Sequence, residues 1–304
     1  MSEIRSEIID GVGHLTLNRP RAINALNLEM MTTLYETLST WVRNKEVTAV
    51  ELRGEGDRGF CAGADVRELR QTILDGGDWL GFLELEYAVD YLISQSRLPV
   101  TAHMTGITMG GGLGLTAHAR NRVVYADTVM AMPETRIGLF PDCALMYQLS
   151  RGGGVGTHLA LTSANFTGGD AIRLDIADES PDGELPAPLF DAEWIEECYQ
   201  GDDVLEIVKR LEAHSDPAAR EAAQDIRSRS PFAVHVTLRA LRRAATLELQ
   251  EVFAQDLALA EGMIPVDFVE GVRARLVDKD NDPQWRWTSL EEVPESAVDE
   301  VFNY

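Results

Sequence analysis

The chain has 304 residues, enough for one large domain or a core with an appendage. With 45% hydrophobic and 25% charged residues it reads as a globular protein, and no apolar run approaches the roughly 18–20 residues that cross a bilayer, so no membrane partner is expected. A net charge of −23 argues against general nucleic-acid binding, which needs a basic field to displace counterions, and repels anionic ligands at long range.

Cys61, Cys143 and Cys198 are odd in number and widely spaced, with no C-x-x-C pair. That pattern argues for a reducing compartment and against a disulfide frame or a metal site. Residues 1–7 carry no apolar signal-peptide region, and a cytoplasmic location is expected. A phosphate-bearing ligand would need local arginines to overcome the global charge; Arg19, Arg21, Arg58, Arg67 and Arg70 are the candidates.

In chain order, Ile4 to Ile9 and Val12 to Leu17 form a hairpin turned at Asp10-Gly11. A loop follows, and then a helix capped by Asn27 with Leu28, Met31, Leu34, Leu38 and Trp41 on one face. Ala49 to Arg53 is a strand, Gly54 to Gly63 a loop, and Asp65 to Leu74 and Trp79 to Gln95 are helices. Val100 to Met104 is a buried strand that leads into Gly106-Ile107-Thr108-Met109-Gly110-Gly111-Gly112 and a small-residue helix, Leu113 to Ala119. Strands are expected at 122–126 and 129–132, and short helices at 145–151, 155–161 and 169–174. From Asp178 to Phe190 the composition turns acidic and Pro-rich; beyond it every segment reads as helix, ending with 249–261 and 266–276. The expected organisation is a catalytic core over 1–178, a linker over 179–191 and a helical region over 192–304.

Three places carry chemistry. Three consecutive glycines at a strand-to-helix junction leave N–H groups free at a helix N-terminus, able to hold a phosphate or an oxyanion; a tight packing turn is the plainer alternative. Phe60-Cys61-Ala62-Gly63-Ala64-Asp65 is a second such turn, and an oxyanion hole needs two converging N–H groups. Asp65 reads as a helix-start carboxylate. Glu134 and Asp142 sit in an apolar loop punctuated by Pro133, Gly138 and Pro141, a setting that raises carboxylate pKa values; an ion pair from Glu134 to Arg136 or Arg122 is the competing role.

The order and spacing of Asn18-Arg19-Pro20…Asn24-Ala25-Leu26, Phe60…Asp65, Gly106…Gly112 and Met132-Pro133-Glu134…Gly138 resemble the crotonase (enoyl-CoA hydratase/isomerase) superfamily. Within it the chain looks most like the 3-hydroxyisobutyryl-CoA hydrolase branch, through Gly106 to Gly112, Ala131 to Thr135, Ile137 to Asp142 and Asp278-Lys279-Asp280…Pro283-Gln284-Trp285. The resemblance implies an α/β fold, a spiral of ββα units with an all-helical C-terminal region, commonly assembled as trimers or pairs of trimers. It places oxyanion amides at Ala64 and Gly111, catalytic carboxylates at Glu134 and Asp142, an acyl-contacting side chain at Glu86, and coenzyme A contacts around Ala62, Gly110 and Arg21. The implied partner is an acyl-CoA substrate, a short 3-hydroxyacyl thioester of valine catabolism, with no separate cofactor.

The first of the two hydratase glutamates of the superfamily falls on Gly114 here, which favours thioester hydrolysis. A hydratase or isomerase using Glu134 alone is the alternative, and a catalytically weak acyl-CoA-binding protein the third. After Asp142 the branch usually runs Val-Gly-Gly, whereas this chain has Cys143-Ala144-Leu145, which adds bulk beside the acyl pocket.

Overall fold

The computed structural model describes residues 2–183 and 185–303; Met1 and Glu184, which begin the N-terminal stretch and interrupt the acidic one, lie outside the described residues, as does Tyr304. The chain divides into two compact units, the first comprising 1–69, 76–131 and 166–189 and the second 70–75, 132–165 and 190–304.

The first unit carries β1 (Ile4–Ile9), β2 (Val12–Leu17), β3 (Ala49–Gly54), β4 (Val100–Met104), β5 (Ile107–Met109), β6 (Asn121–Val124), β7 (Val129–Ala131) and β8 (Phe166–Thr167). One sheet has the order β1-β2-β3-β4-β6 and the other β5-β7-β8. β1 and β2 form the expected hairpin, Ile9 facing Val12, and β2, β3, β4 and β6 then run parallel. Alternation along β2 buries Gly13, Leu15 and Leu17, so its register is set by its apolar face.

The ββα repetition is visible in the ladders. Each parallel strand of the large sheet is followed by a short extended piece on a second ladder: Leu26 bridges Ala64, Cys61 bridges Thr108 of β5, and β5 pairs with β7. The short pieces at 61–64 and 107–109 are therefore neighbours and parallel, and the turns that leave them start side by side.

Helix α1 (Leu28–Arg43) is capped by Asn27, whose side chain accepts from the Met30 N–H at 2.9 Å. Its buried face is Met30, Met31, Leu34, Leu38 and Trp41; Leu28, expected on that face, is exposed in the first turn. Helices α2 (Val66–Leu74) and α3 (Leu80–Ser94) follow, with α1 packed on α3. Helix α4 spans Gly111–Ala117, two residues ahead of the expected start, because Gly110 takes the turn at φ 50, ψ −127, a conformation open to glycine. The acidic stretch is tied to the first unit: Asp178 accepts from the Arg122 N–H at 2.8 Å, Glu179 bridges Val123, and the Leu189 N–H donates to Asp170 at 2.8 Å.

The second unit is helical: Met146–Arg151, Gly153–Thr162, Glu193–Cys198, Val204–Ala213, Pro217–Arg227, Pro231–Ala244, Leu249–Met263 and Glu295–Val301. Residues 132–165 group with it, so the boundary differs from the one expected near 178. The helix expected at 266–276 is a continuation of Leu249–Met263 through two π-helical turns, Ile264–Phe268 and Arg273–Val277, with Val269–Val272 between them. Pro265 has no N–H for the regular ladder, a physical reason for it to shift there.

Candidate active site

In the first unit the two glycine turns converge. A β-carbon added at Gly63 would lie 3.3 Å from the Gly111 nitrogen, and one added at Gly111 would lie 3.5 Å from the Ala64 nitrogen. The Met109 N–H donates to the Cys61 carbonyl at 3.0 Å and the Cys61 N–H to the Ile107 carbonyl at 3.1 Å, locking the two strand ends together. In the turns and loops of the described residues, neither the Ala64 nor the Gly111 N–H finds a backbone acceptor. Gly111 is the first residue of α4, so its N–H has no intrahelical partner either. Two adjacent free amides, one at a helix N-terminus, can receive an oxyanion.

Glu86 lies beside them, buried on α3: a β-carbon at Gly111 would overlap its Oε1. Ala62 is held by its N–H to the Ile23 carbonyl at 2.9 Å, and Gly110 by its N–H to Ala131 at 3.2 Å. Arg21 is the middle residue of the short 3-10 turn Pro20–Ala22, and its carbonyl accepts from Arg58 at 3.4 Å, so these two of the five arginines are brought together. Arg19 is committed to Asp65 at 2.9 Å and Glu3 at 3.3 Å, and Arg70 donates to the Val269 carbonyl within the second unit. Asp65 has the structural role read from sequence, accepting also from the Glu68 N–H at 3.3 Å. Burial pushes the Cys61 thiol up to about 12, with further rises from Glu86 and Asp90, so it is no thiolate nucleophile at neutral pH.

The second unit supplies the carboxylates. Glu134 opens a 3-10 turn, Glu134–Ile137, that Gly138 ends at φ 77. The turn is clamped on several sides. The Ser230 N–H donates to the Thr135 carbonyl at 3.1 Å, Thr135 and Ser163 hydroxyls meet at 2.7 Å, and Arg136 donates to the Ser163 carbonyl at 2.7 Å. The π-helical run presses on it closely: a β-carbon at Gly138 would be 2.6 Å from that of Asp267, and one at Gly271 2.5 Å from the Ile137 backbone.

Arg136 is thus turned to a backbone carbonyl, and Arg122 holds Asp175 at 2.8 Å as well as Asp178. The ion pair considered between Glu134 and Arg136 does not form among the described residues. Glu134 is buried, and its Oε2 has no hydrogen-bond partner among the described residues. Burial, and next the charge of Asp142, hold its carboxyl well above the ordinary range. Asp142 is buried as well.

After Asp142 this chain has Cys143-Ala144-Leu145 where the resembling branch runs Val-Gly-Gly, and the backbone there is unusual. Cys143 and Ala144 both lie in the left-handed region, at φ 56 and φ 55. The Ala144 N–H donates to Asp256 Oδ2 at 2.7 Å. Asp256 was not among the residues singled out from sequence. Its signal is its place on the apolar stripe of Leu249–Met263, one turn after Val252 and one before Leu259 and Ala260, where a charged residue is out of pattern.

A family model described as enoyl-CoA hydratase/isomerase matches residues 12–186 and 179–302. The mitochondrial 3-hydroxyisobutyryl-CoA hydrolase of Gallus gallus is 35% identical, over 96% of this chain and 86% of its own. The Homo sapiens protein of the same name is 33% identical, over 95% and 86%. Among solved structures, a carnitinyl-CoA dehydratase from Mycobacterium thermoresistibile superposes with a TM-score of 0.95 at 40% identity, over 100% of this chain and 97% of that one. An enoyl-CoA hydratase from Rhodobacter sphaeroides 2.4.1 gives 0.92 at 32% identity, over 99% and 97%.

Proposed function

Because the chain belongs to the enoyl-CoA hydratase/isomerase (crotonase) family of enzymes, we propose that it hydrolyses a short-chain 3-hydroxyacyl-CoA thioester, such as 3-hydroxyisobutyryl-CoA in valine catabolism. The observation that carries the reading is the buried Glu134 carboxyl with one oxygen unpartnered among the described residues and a raised proton affinity. A base serves best when its pKa lies near the working pH, and this environment moves a carboxyl in that direction. The Ala64 and Gly111 amides receive the thioester oxygen as it becomes an oxyanion. Glu134 either takes the proton of the attacking water or itself attacks the carbonyl carbon, in which case water afterwards hydrolyses the anhydride so formed and frees the carboxylate. The C–S bond then breaks and the leaving sulfur takes a proton, which Asp142 delivers. Glu86 contacts the acyl group, and Ala62, Gly110 and Arg21 the coenzyme A portion, which enters as part of the substrate. A homo-oligomeric state and a cytoplasmic location belong to the same proposal; the first rests on the family resemblance, the second on the cysteine pattern.

Gly114 supports hydrolysis over hydration. It is buried in α4 and offers no carboxylate where hydratases of the family place their first glutamate. The second reading, a hydratase or isomerase relying on Glu134, draws on the dehydratase and hydratase named among the structural relatives. A panel of acyl-CoA thioesters separates them. Free-thiol release from a 3-hydroxyacyl-CoA, lost in Glu134→Gln, is the expected result. Loss of enoyl-CoA absorbance with no thiol release refutes the hydrolase.

A further inference from the structure

Two successive non-glycine residues in the left-handed region are costly and persist only where surroundings enforce them. Cys143 and Ala144 are such a pair, fully buried and directly after Asp142. The turn is closed within itself by the Leu145 N–H on the Asp142 carbonyl at 3.1 Å and the Tyr147 N–H on the Ala144 carbonyl at 3.0 Å. One link to another element is the Ala144 N–H on Asp256 Oδ2 at 2.7 Å, from the helix Leu249–Met263. Asp256 is fully buried, and its other oxygen, Oδ1, has no partner among the described residues. A buried acid in the middle of an apolar helix face, with one oxygen on a strained backbone amide, is poorly explained by stability, since an apolar residue would pack there at less cost.

We propose that Asp256 is a positioning residue for the reaction: by accepting the Ala144 amide it holds the left-handed Cys143–Ala144 turn and so fixes the carboxylate of Asp142 at its head. This rests on the role given to Asp142 in the proposed hydrolysis. The clamp works with a neutral carboxylic acid. Burial, and next the charge of Asp142, push the Asp256 carboxyl well up, while the Ala144 N–H opposes the shift. Among the described residues these are the groups that act on it. A neutral Asp256 holds the turn without setting a negative charge beside Asp142.

The test compares Asp256→Ala, Asp256→Asn, and Asp256→Ala in a Cys143→Gly/Ala144→Gly background, with turnover read as thiol release and as enoyl-CoA hydration. Asp256→Ala is expected to lower kcat on the order of 10²-fold, the scale of displacing a catalytic group by about 1 Å, with KM nearly unchanged. Asp256→Asn keeps the acceptor and the neutrality, and restores most of that kcat with an unaltered pH profile. The glycine pair, which adopts the turn without strain, recovers part of the loss in Asp256→Ala. Wild-type kcat in folded Asp256→Ala overturns the proposal. So does an acid limb of the pH profile that moves down in Asp256→Asn, which means a charged Asp256. If Asp256→Ala does not fold, Asp256→Asn and the glycine background still decide. A wild-type protein that releases no thiol but hydrates enoyl-CoA refutes the hydrolase reading separately, and the kcat comparison then proceeds on hydration.

Discussion

Replacing Gly111 by proline tests the oxyanion assignment most directly. Gly111 is the first residue of α4, where proline is tolerated because that N–H has no helical acceptor to lose. The substitution therefore deletes the proposed donor and leaves the helix ladder intact. It also brings a β-carbon that overlaps Glu86 Oε1 and stands 3.2 Å from its Cδ, so Glu86 must move. Gly111→Ala makes the same intrusion and keeps the N–H, which isolates the donor by difference. Loss of one oxyanion donor costs about 3 kcal/mol, or 10²–10³-fold in kcat. The assay is kcat for thiol release at saturating acyl-CoA, with thermal melts to establish that both variants are folded. Gly111→Pro is expected to fall by about that factor below Gly111→Ala. Equal kcat in the two variants refutes the reasoning, because the amide would then contribute nothing to the transition state.

Glu134→Gln is expected to lower thiol release by about 10²–10⁴-fold. It should also stabilise the protein as pH rises. A carboxyl whose folded pKa lies above its ordinary value binds more protons folded than unfolded in that window, so wild-type stability drops with pH by up to about 1.4 kcal/mol per unit. Melts at pH 4 and pH 8 check this: the gain in the variant should be small at the first and clear at the second, and an equal gain at both contradicts the raised pKa. Gly156→Ala drives a β-carbon into the Leu149 carbonyl oxygen, and a loss of about 1–3 kcal/mol in denaturant unfolding is expected. Moderate salt should raise the association rate of acyl-CoA by screening the net charge of −23; a rate that falls steeply with salt means the local arginines dominate.

Much of the local structure was legible in the sequence because it is decided within a few residues. Asp10-Gly11 between alternating apolar positions specifies a hairpin, and Asn27 supplies the acceptor that caps the first long helix. The glycine turns at 63 and 110–112 announce close backbone approach by their composition, and the structure has amides converging there. Glu134 and Asp142 stood out as carboxylates in an apolar loop, and burial confirms that environment. The order of the motifs was enough to indicate the family.

Other features depend on partners far along the chain. Arg136 donates to the Ser163 carbonyl and Arg122 to Asp175 and Asp178, partners that the sequence around either arginine does not announce. The grouping of residues 132–165 with the C-terminal helices follows from contacts such as Ser230 on Thr135 and Gly271 on Ile137, between segments about a hundred residues apart or more. Nothing local to Cys143-Ala144 foretells a left-handed turn, since intrinsic preference runs against it. In the folded chain its Ala144 N–H meets a buried acceptor on Asp256, more than a hundred residues later, at 2.7 Å. Periodicity and turn chemistry act over a few residues and can be read directly, whereas burial and pairing of a polar group depend on which distant segment folds against it.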